Sequence, residues 1–217
     1  LEAAWMLDDM DVAQIIDKSP NRIDGTPVSG PTMANGNYGR NLATTSGGSR
    51  IDFGNPPTML SFGDGAGNDT PYSMYVLCMV DNVSGNKGIL TKDGANREWF
   101  FGLSGSSLSA TLRDSASNTI YIGKFGTASV TANVWNHIVV TYNGNKANSG
   151  FTLWLNGVDV TNTDQSSGSY TGSGNKSINI TLGAKGNAAQ TFPGTISNAM
   201  IWKDRILKQA DLFELMA

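Results

Sequence analysis

An all-β chain folded as a two-sheet antiparallel sandwich and closed by a short C-terminal helix is the fold class this sequence predicts. Three observations carry the prediction. Residues 133–160, NVWNHIVVTYNGNKANSGFTLWLNGVDV, read as a β-hairpin. A β-branched run at 137–142 is followed by a Gly/Asn/Ser-rich turn, then by a second strand at 151–155. Asn156-Gly157 supplies the dipeptide that tolerates positive φ in a tight turn. Several segments also alternate with the period of two expected of half-buried strands. Phe151, Leu153 and Leu155 share one face and Thr152 and Trp154 the other, and Leu108, Ala110 and Leu112 oppose Ser109, Thr111 and Arg113. Helical periodicity, finally, is confined almost entirely to 207–216, LKQADLFELM, where Leu207, Ala210, Leu212 and Leu215 can share a face.

The remaining elements follow in order. Residues 10–16, MDVAQII, read as a helical turn or a plain connection, and 25–49, rich in Gly, Ser, Thr and Asn, as a loop. Strands are expected near 51–54, 89–92 and 99–103. The segment 72–80 is apolar on both faces, so it is a central strand or one covered by a loop or helix. Its Cys78 is the only cysteine, which excludes an intrachain disulfide and reads as a small buried hydrophobe. A second loop spans 161–177, with Tyr170 its one aromatic, and closing strands are expected at 182–184, 192–196 and 200–202. The length suits one domain over 1–217.

Trp135-Asn-His-Ile-Val-Val-Thr-Tyr142 followed by Leu153-Trp-Leu-Asn-Gly157 resembles the signature hairpin of laminin-G-like, concanavalin-A-like jelly-roll domains. Asp17-Lys-Ser-Pro-Asn21 with Asp24-Gly-Thr26 is similar to that family's opening after its first strand. The segments at 51–54, 72–80, 89–92, 99–103, 182–184 and 192–207 resemble its later strands and terminal helix in order and spacing. The resemblance covers nearly the whole chain. It implies a jelly-roll sandwich that serves mainly as a platform for binding, so function has to be read from the site.

Composition narrows the partners. The net charge is −3, charged residues make up 15%, and the basic ones are scattered, which argues against nucleic acid. No apolar run approaches the ~20 residues that span a bilayer, so no membrane insertion is expected. Glycosidases of the resembling fold place Glu-x-Asp-x-Glu on one strand face, with retaining pairs ~5–5.5 Å apart. This chain has three glutamates, Glu2, Glu98 and Glu214, with no acid two residues from Glu98; Asp9 and Asp11 have the spacing but lie in a connecting segment. His137 is the only histidine, which excludes a His-rich metal site, and it falls where the family carries a structural histidine. The chain is therefore expected not to be an enzyme.

What remains is binding. Sugar recognition needs an aromatic face and polar groups that fix orientation. Trp135 is assigned to the core, and Trp5 and Trp202 to packing between terminal segments. Trp154 either points outward or packs under a loop or against the terminal helix. Trp99, Arg113 and Tyr121 are candidates to join it from neighbouring strands, with Tyr170 from the loop. Asp17, Asn21 and Asp24 form an oxygen-rich turn for which a structural Ca²⁺ and simple Asx turns are the competing readings. In relatives the closing strand carries two acids after its Gly-x-Ile; here Ser197 and Asn198 replace them. The functional expectation is a non-catalytic binding or adhesion module, extracellular or on a virion surface, with glycan or a surface protein as partner. The alternative is a virus or phage structural or decoration protein that binds other virion proteins, and an oligomer is compatible with either.

Overall fold

Two antiparallel sheets face each other across one apolar core. The computed structural model describes residues 1–7, 14–36, 38–45, 47–56, 58–186 and 188–217. In chain order the strands are β1 (Ala3–Met6), β2 (Thr26–Val28), β3 (Thr32–Gly36), β4 (Gly39–Thr44), β5 (Arg50–Asp52), β6 (Tyr72–Val80), β7 (Asn86–Asp93) and β8 (Arg97–Ser104). They continue as β9 (Ser107–Arg113), β10 (Tyr121–Ser129), β11 (Trp135–Tyr142), β12 (Phe151–Leu155), β13 (Val158–Asp159), β14 (Thr161–Asp164), β15 (Thr181–Leu182) and β16 (Gly194–Lys203). The helix α1 spans Gln209–Met216. The first sheet runs β13-β12-β11-β6-β16-β4-β3, with β1 also paired to β16; the second runs β14-β10-β9-β8-β7-β15-β5-β2.

The expected sandwich and hairpin are present. β11 and β12 pair with Val140 opposite Leu153, and Asn156 and Gly157 take φ of 51° and 78°, the left-handed pair of a two-residue turn that matches strand twist. β16 is the long closing strand, lying beside β6 along its length while β4 and then β1 take its other edge. The expected loop at 25–49 is instead largely strand: β2 lies at an edge of the second sheet, and β3 pairs with β4 at an edge of the first. Gly and Asn are weak strand formers, and it is backbone pairing to a neighbouring strand that organises them. The segment at 161–177 begins with a strand, β14, and is a loop thereafter. Of the 10–16 segment, residues 10–13 lie outside the described residues, as do Asp9 and Asp11; Ile15 bridges to Gly25.

Between the sheets, the alternation of each strand delivers its apolar face. Trp5 stacks on Phe53 with centroids 3.9 Å apart, and Phe62 stacks on Tyr72 at 4.0 Å. Cys78 is buried here, and desolvation pushes its thiol up to about 12, so it stays a neutral apolar filler.

β6 is apolar on both faces because the first sheet is covered twice. Met74, Val76 and Cys78 face the sandwich core, whereas Tyr75 and Leu77 join Val139, Trp202, Leu207 and Leu212 in a second cluster outside the sheet. That cluster is the seat of α1. An eight-residue helix is too short to persist alone in water. Docking Leu212, which is 1% exposed, contributes about 1.5–3 kcal/mol toward holding it, and the Asp211 carboxylate accepts the Lys208 N–H at 2.6 Å at its start. Ala210 faces solvent, contrary to the expected apolar stripe, because the buried stripe consists of Leu207, Leu212 and Leu215.

Candidate functional site

The outward face of the second sheet carries a groove of about 160 Å³. Its floor follows from strand alternation. With Leu108, Ala110 and Leu112 in the core, β9 turns Ser109, Thr111 and Arg113 outward, as the sequence predicts. Register supplies their neighbours. On β10, Tyr121 lies opposite Arg113, Gly123 opposite Thr111 and Phe125 opposite Ser109; on β8, Phe100 lies opposite Thr111. Gly123 leaves the middle of the face bare, and no larger residue fits, because a Cβ there would fall 2.1 Å from the Ala110 carbonyl oxygen. Gln165, just after β14, closes one side by donating to the Lys124 carbonyl at 2.8 Å and to Ser109 Oγ at 2.9 Å.

The groove is electrically lopsided. Arg97, Arg113 and Lys185 line it against one carboxylate, Asp93. Burial pushes the Asp93 carboxyl pKa up, opposed by Lys185 Nζ at 3.2 Å and Arg97 Nε at 3.6 Å. The Arg113 guanidinium stands 4.2 Å over the Tyr121 ring, a cation–π contact, and Nη1 donates to the Asn118 carbonyl at 3.4 Å. Burial pushes its pKa down, with Asp93 as the main opposing charge. Arg113 Nε and Thr111 Oγ1 are buried and have no protein partner among the described residues, although Thr111 is only 4% exposed. A buried polar atom left unpaired costs ~1–3 kcal/mol, and these two lie two residues apart on one strand of the groove floor.

Of the sequence candidates, Arg113 and Tyr121 are brought together here. Trp99 is not with them. It is 1% exposed on the opposite face of β8, its indole N–H donating to the Leu60 carbonyl at 2.8 Å, so it belongs to the core. Trp154 lies on the other sheet, half-buried with Trp135 and Leu215 around the cluster that seats α1, which is the terminal-helix alternative. The proposed grouping of Trp154 with Trp99, Arg113 and Tyr121 therefore does not form. Tyr170 is tied down rather than presented: its hydroxyl donates to Asp69 Oδ2 at 2.8 Å, and Tyr142 donates to the same oxygen at 2.7 Å. Trp135 is not core as expected. It is half-buried on the outside of the first sheet, edge-on to Tyr38 at 5.0 Å, and lines a second hollow with Met79 and Val134. Trp5 and Trp202 pack as expected.

Sequence reasoning missed Phe100, Phe125, Arg97, Asp93 and Lys185. For Phe100 a signal existed: once Trp99 and Phe101 are assigned inward, period two sends Phe100 outward. Lys185 sits in a turn after β15 and carries no periodic signal.

The Asp17 turn resolves as hydrogen bonding within the chain. Asp17 is fully buried and accepts from the N–H groups of Ala4, Ser19 and Ile23 and from Ser19 Oγ, at 2.7–2.9 Å. Asp24 accepts the Asp17 N–H at 2.8 Å, and the Asn21 amide donates to the Glu2 carbonyl and carboxylate. Those donors engage the carboxylates of Asp17 and Asp24, the hydrogen bonding that the Asx-turn reading expects. No group of three or more His, Cys, Asp or Glu suited to a metal occurs among the described residues. The thermal midpoint is accordingly expected to be the same in Ca²⁺ and in EDTA; a rise with Ca²⁺ that EDTA reverses would restore the ion. No helix among the described residues is long and apolar enough to cross a membrane.

Comparison with known proteins agrees with this architecture. The family model for laminin-G-like domains of the concanavalin A-like lectin/glucanases superfamily matches residues 58–212. No curated protein matches the chain in sequence. Among solved structures, the binding domain of Paraclostridial Mosquitocidal Protein 1 superposes with a TM-score of 0.71 at 16% identity, covering 99% of this chain and 51% of that one. Domain 4 of AbnA, a GH43 extracellular arabinanase from Geobacillus stearothermophilus solved in complex with arabinotriose, gives 0.67 at 16%, covering 100% and 98%. The botulinum neurotoxin serotype G binding domain gives 0.67 at 14%, covering 99% and 50%. This chain thus spans about half the length of the toxin binding domains and nearly all of the arabinanase domain, and at these identities the likeness is one of fold.

Proposed function

The chain belongs to the concanavalin A-like lectin/glucanases superfamily, and from that premise we propose that it is a non-catalytic, extracellular carbohydrate-binding module that holds its glycan in the groove on the second sheet. The observation that carries the reading is the pairing of unsatisfied buried polar atoms, Thr111 Oγ1 and Arg113 Nε, with the half-buried aromatic rings of Phe100 and Tyr121 on the same face. An aromatic ring takes the apolar side of a sugar, and fixed polar groups read its hydroxyls. The groove is smaller than the ~300–1,000 Å³ of sites that enclose a drug-sized ligand, so it suits one sugar ring of a chain lying across the sheet.

Support comes also from three neighbours that are binding domains or a domain solved with a sugar; one is part of an extracellular arabinanase and was solved with arabinotriose. The chemistry of the groove favours binding over hydrolysis. Its one lining carboxylate, Asp93, is held between Lys185 and Arg97, whereas the usual glycosidase uses two carboxylates flanking the bond.

A glycan array followed by titration calorimetry tests the proposal. Selective binding is expected, weakened about tenfold or more by Arg113→Ala or Phe100→Ala and left unchanged by Trp135→Ala, which alters the other hollow. A blank array, or binding that only Trp135→Ala removes, would overturn it.

A further inference from the structure

We propose that the sugar held in this groove is anionic, with a carboxylate seated on Arg113 and Arg97 while its ring stacks on Phe100. The inference rests on the glycan reading and deepens it. Three cations line the groove and one carboxylate answers them, in a chain whose net charge is −3. The positive groove is therefore a local construction and not a reflection of general basicity. Asp93 is already engaged by Lys185 at 3.2 Å and Arg97 at 3.6 Å. Among the described residues no carboxylate lies within ion-pair distance of Arg113; Asp93 is its main opposing charge from farther off, and its direct contacts are the Asn118 carbonyl and the face of Tyr121.

Burying a guanidinium with only a carboxylate shared among three cations to offset it is costly, and an arriving anion relieves that cost. Arginine is also the side chain whose planar donors match a carboxylate in a two-pronged contact. The donor balance points the same way. Arg97, Arg113, Lys185 and Thr111 present donors, whereas the one strong acceptor, Asp93, is taken. A neutral sugar offers donors and acceptors in similar number, while a carboxylated one is richer in acceptors.

Spacing fits a single residue. Thr111 and Arg113 are two apart on one strand, about 7 Å along the sheet, and Phe100 lies across from Thr111. A ring over Phe100 would lie above Thr111 and bring its carboxylate beside the Arg113 guanidinium.

The test is calorimetry on the whole chain with four probes: oligogalacturonate, its methyl ester, sialyllactose and lactose. The acid forms are expected to bind about tenfold or more tighter than the ester and the neutral sugar, and to weaken as salt rises from low to ~0.5 M. Oligogalacturonate against sialyllactose distinguishes a uronate from a sialate source, and preference for either acid supports the proposal. Arg113→Gln should abolish the preference; Arg97→Gln, at a 40% exposed side chain whose loss the fold tolerates, should reduce it several-fold. If ester and acid bind equally, the anionic assignment is overturned while the glycan reading stands. If none of the four probes binds and a wider array is blank, both fail. If acids bind but neither arginine variant matters, the groove is the wrong site and the proposal falls.

Discussion

Replacing Lys92 with methionine is expected to cost roughly 3–5 kcal/mol of stability, a penalty of the size seen when one partner of a buried ion pair is removed. Lys92 Nζ lies 2.8 Å from Glu98 Oε2, and both side chains are completely buried. Nζ also donates to Ser61 Oγ at 2.7 Å and to Asn175 Oδ1 at 3.3 Å, and Glu98 Oε2 accepts the Lys176 N–H at 2.9 Å. Burial pushes the Glu98 pKa up, and the ammonium of Lys92 is the main force against it. Without Lys92, a carboxylate is left in the interior with only the Lys176 N–H and the Ser61 hydroxyl against its burial. The double variant Lys92→Met/Glu98→Leu should recover most of the loss, since replacing both charges removes the desolvation cost together with the attraction. pH gives a second signature. In Lys92→Met the folded carboxyl holds its proton more tightly than the unfolded one, so stability rises as pH falls through the folded pKa and levels off below the ordinary glutamate value, ~4.3. Urea denaturation at pH 7 and near pH 4 reads both effects. A single variant within about 0.5 kcal/mol of wild type would mean that the pair is not the buried element described.

Trp99→Ala is expected to destabilise by a comparable amount, roughly 3–5 kcal/mol, the range for emptying a buried aromatic site. Its ring packs among the core aromatics, 5.6 Å from Phe62, and the deletion also strands the Leu60 carbonyl that its N–H now satisfies. Trp99→Phe keeps most of the volume and should fold well enough for ligand titration. Affinity unchanged in Trp99→Phe, set against the loss in Phe100→Ala, separates the two faces of one strand. Lost affinity in Trp99→Phe with stability preserved would move the binding face to the core side and contradict the structure.

The site was half legible in advance for a definite reason. Arg113 was found because β9 alternates cleanly, and alternation states which residues share a face. Tyr121 followed as a neighbour by position, and the two do meet at 4.2 Å. Phe100 was masked by Trp99, since a tryptophan is the stronger prior for sugar stacking until the core claims it. Trp154 alternates as clearly as Arg113, and its side chain does face outward from the sandwich. Parity does not say what lies outside, and there it meets the surroundings of α1 rather than a ligand. Asp17 shows the same limit: an oxygen-rich turn has one sequence whether its carboxylate faces a cation or the N–H groups of Ala4 and Ile23.

By itself the sequence determined the local geometry: the β11–β12 hairpin with its Asn156-Gly157 turn, the two-faced apolar β6, the parity of β9 and β12, and the short terminal helix. These depend on period, turn chemistry and the residues' own volumes, all of which are local. Tertiary structure alone decided which strands became neighbours, that Lys92 and Glu98 meet across a β7–β8 register irregularity, that Lys185 arrives beside Asp93 from a turn far along the chain, and that α1 covers the first sheet and leaves the second open. Those outcomes depend on register and on which face finds an apolar cover. A period of two specifies the face of each side chain but leaves both its cross-strand partner and its covering layer to the packing of the whole.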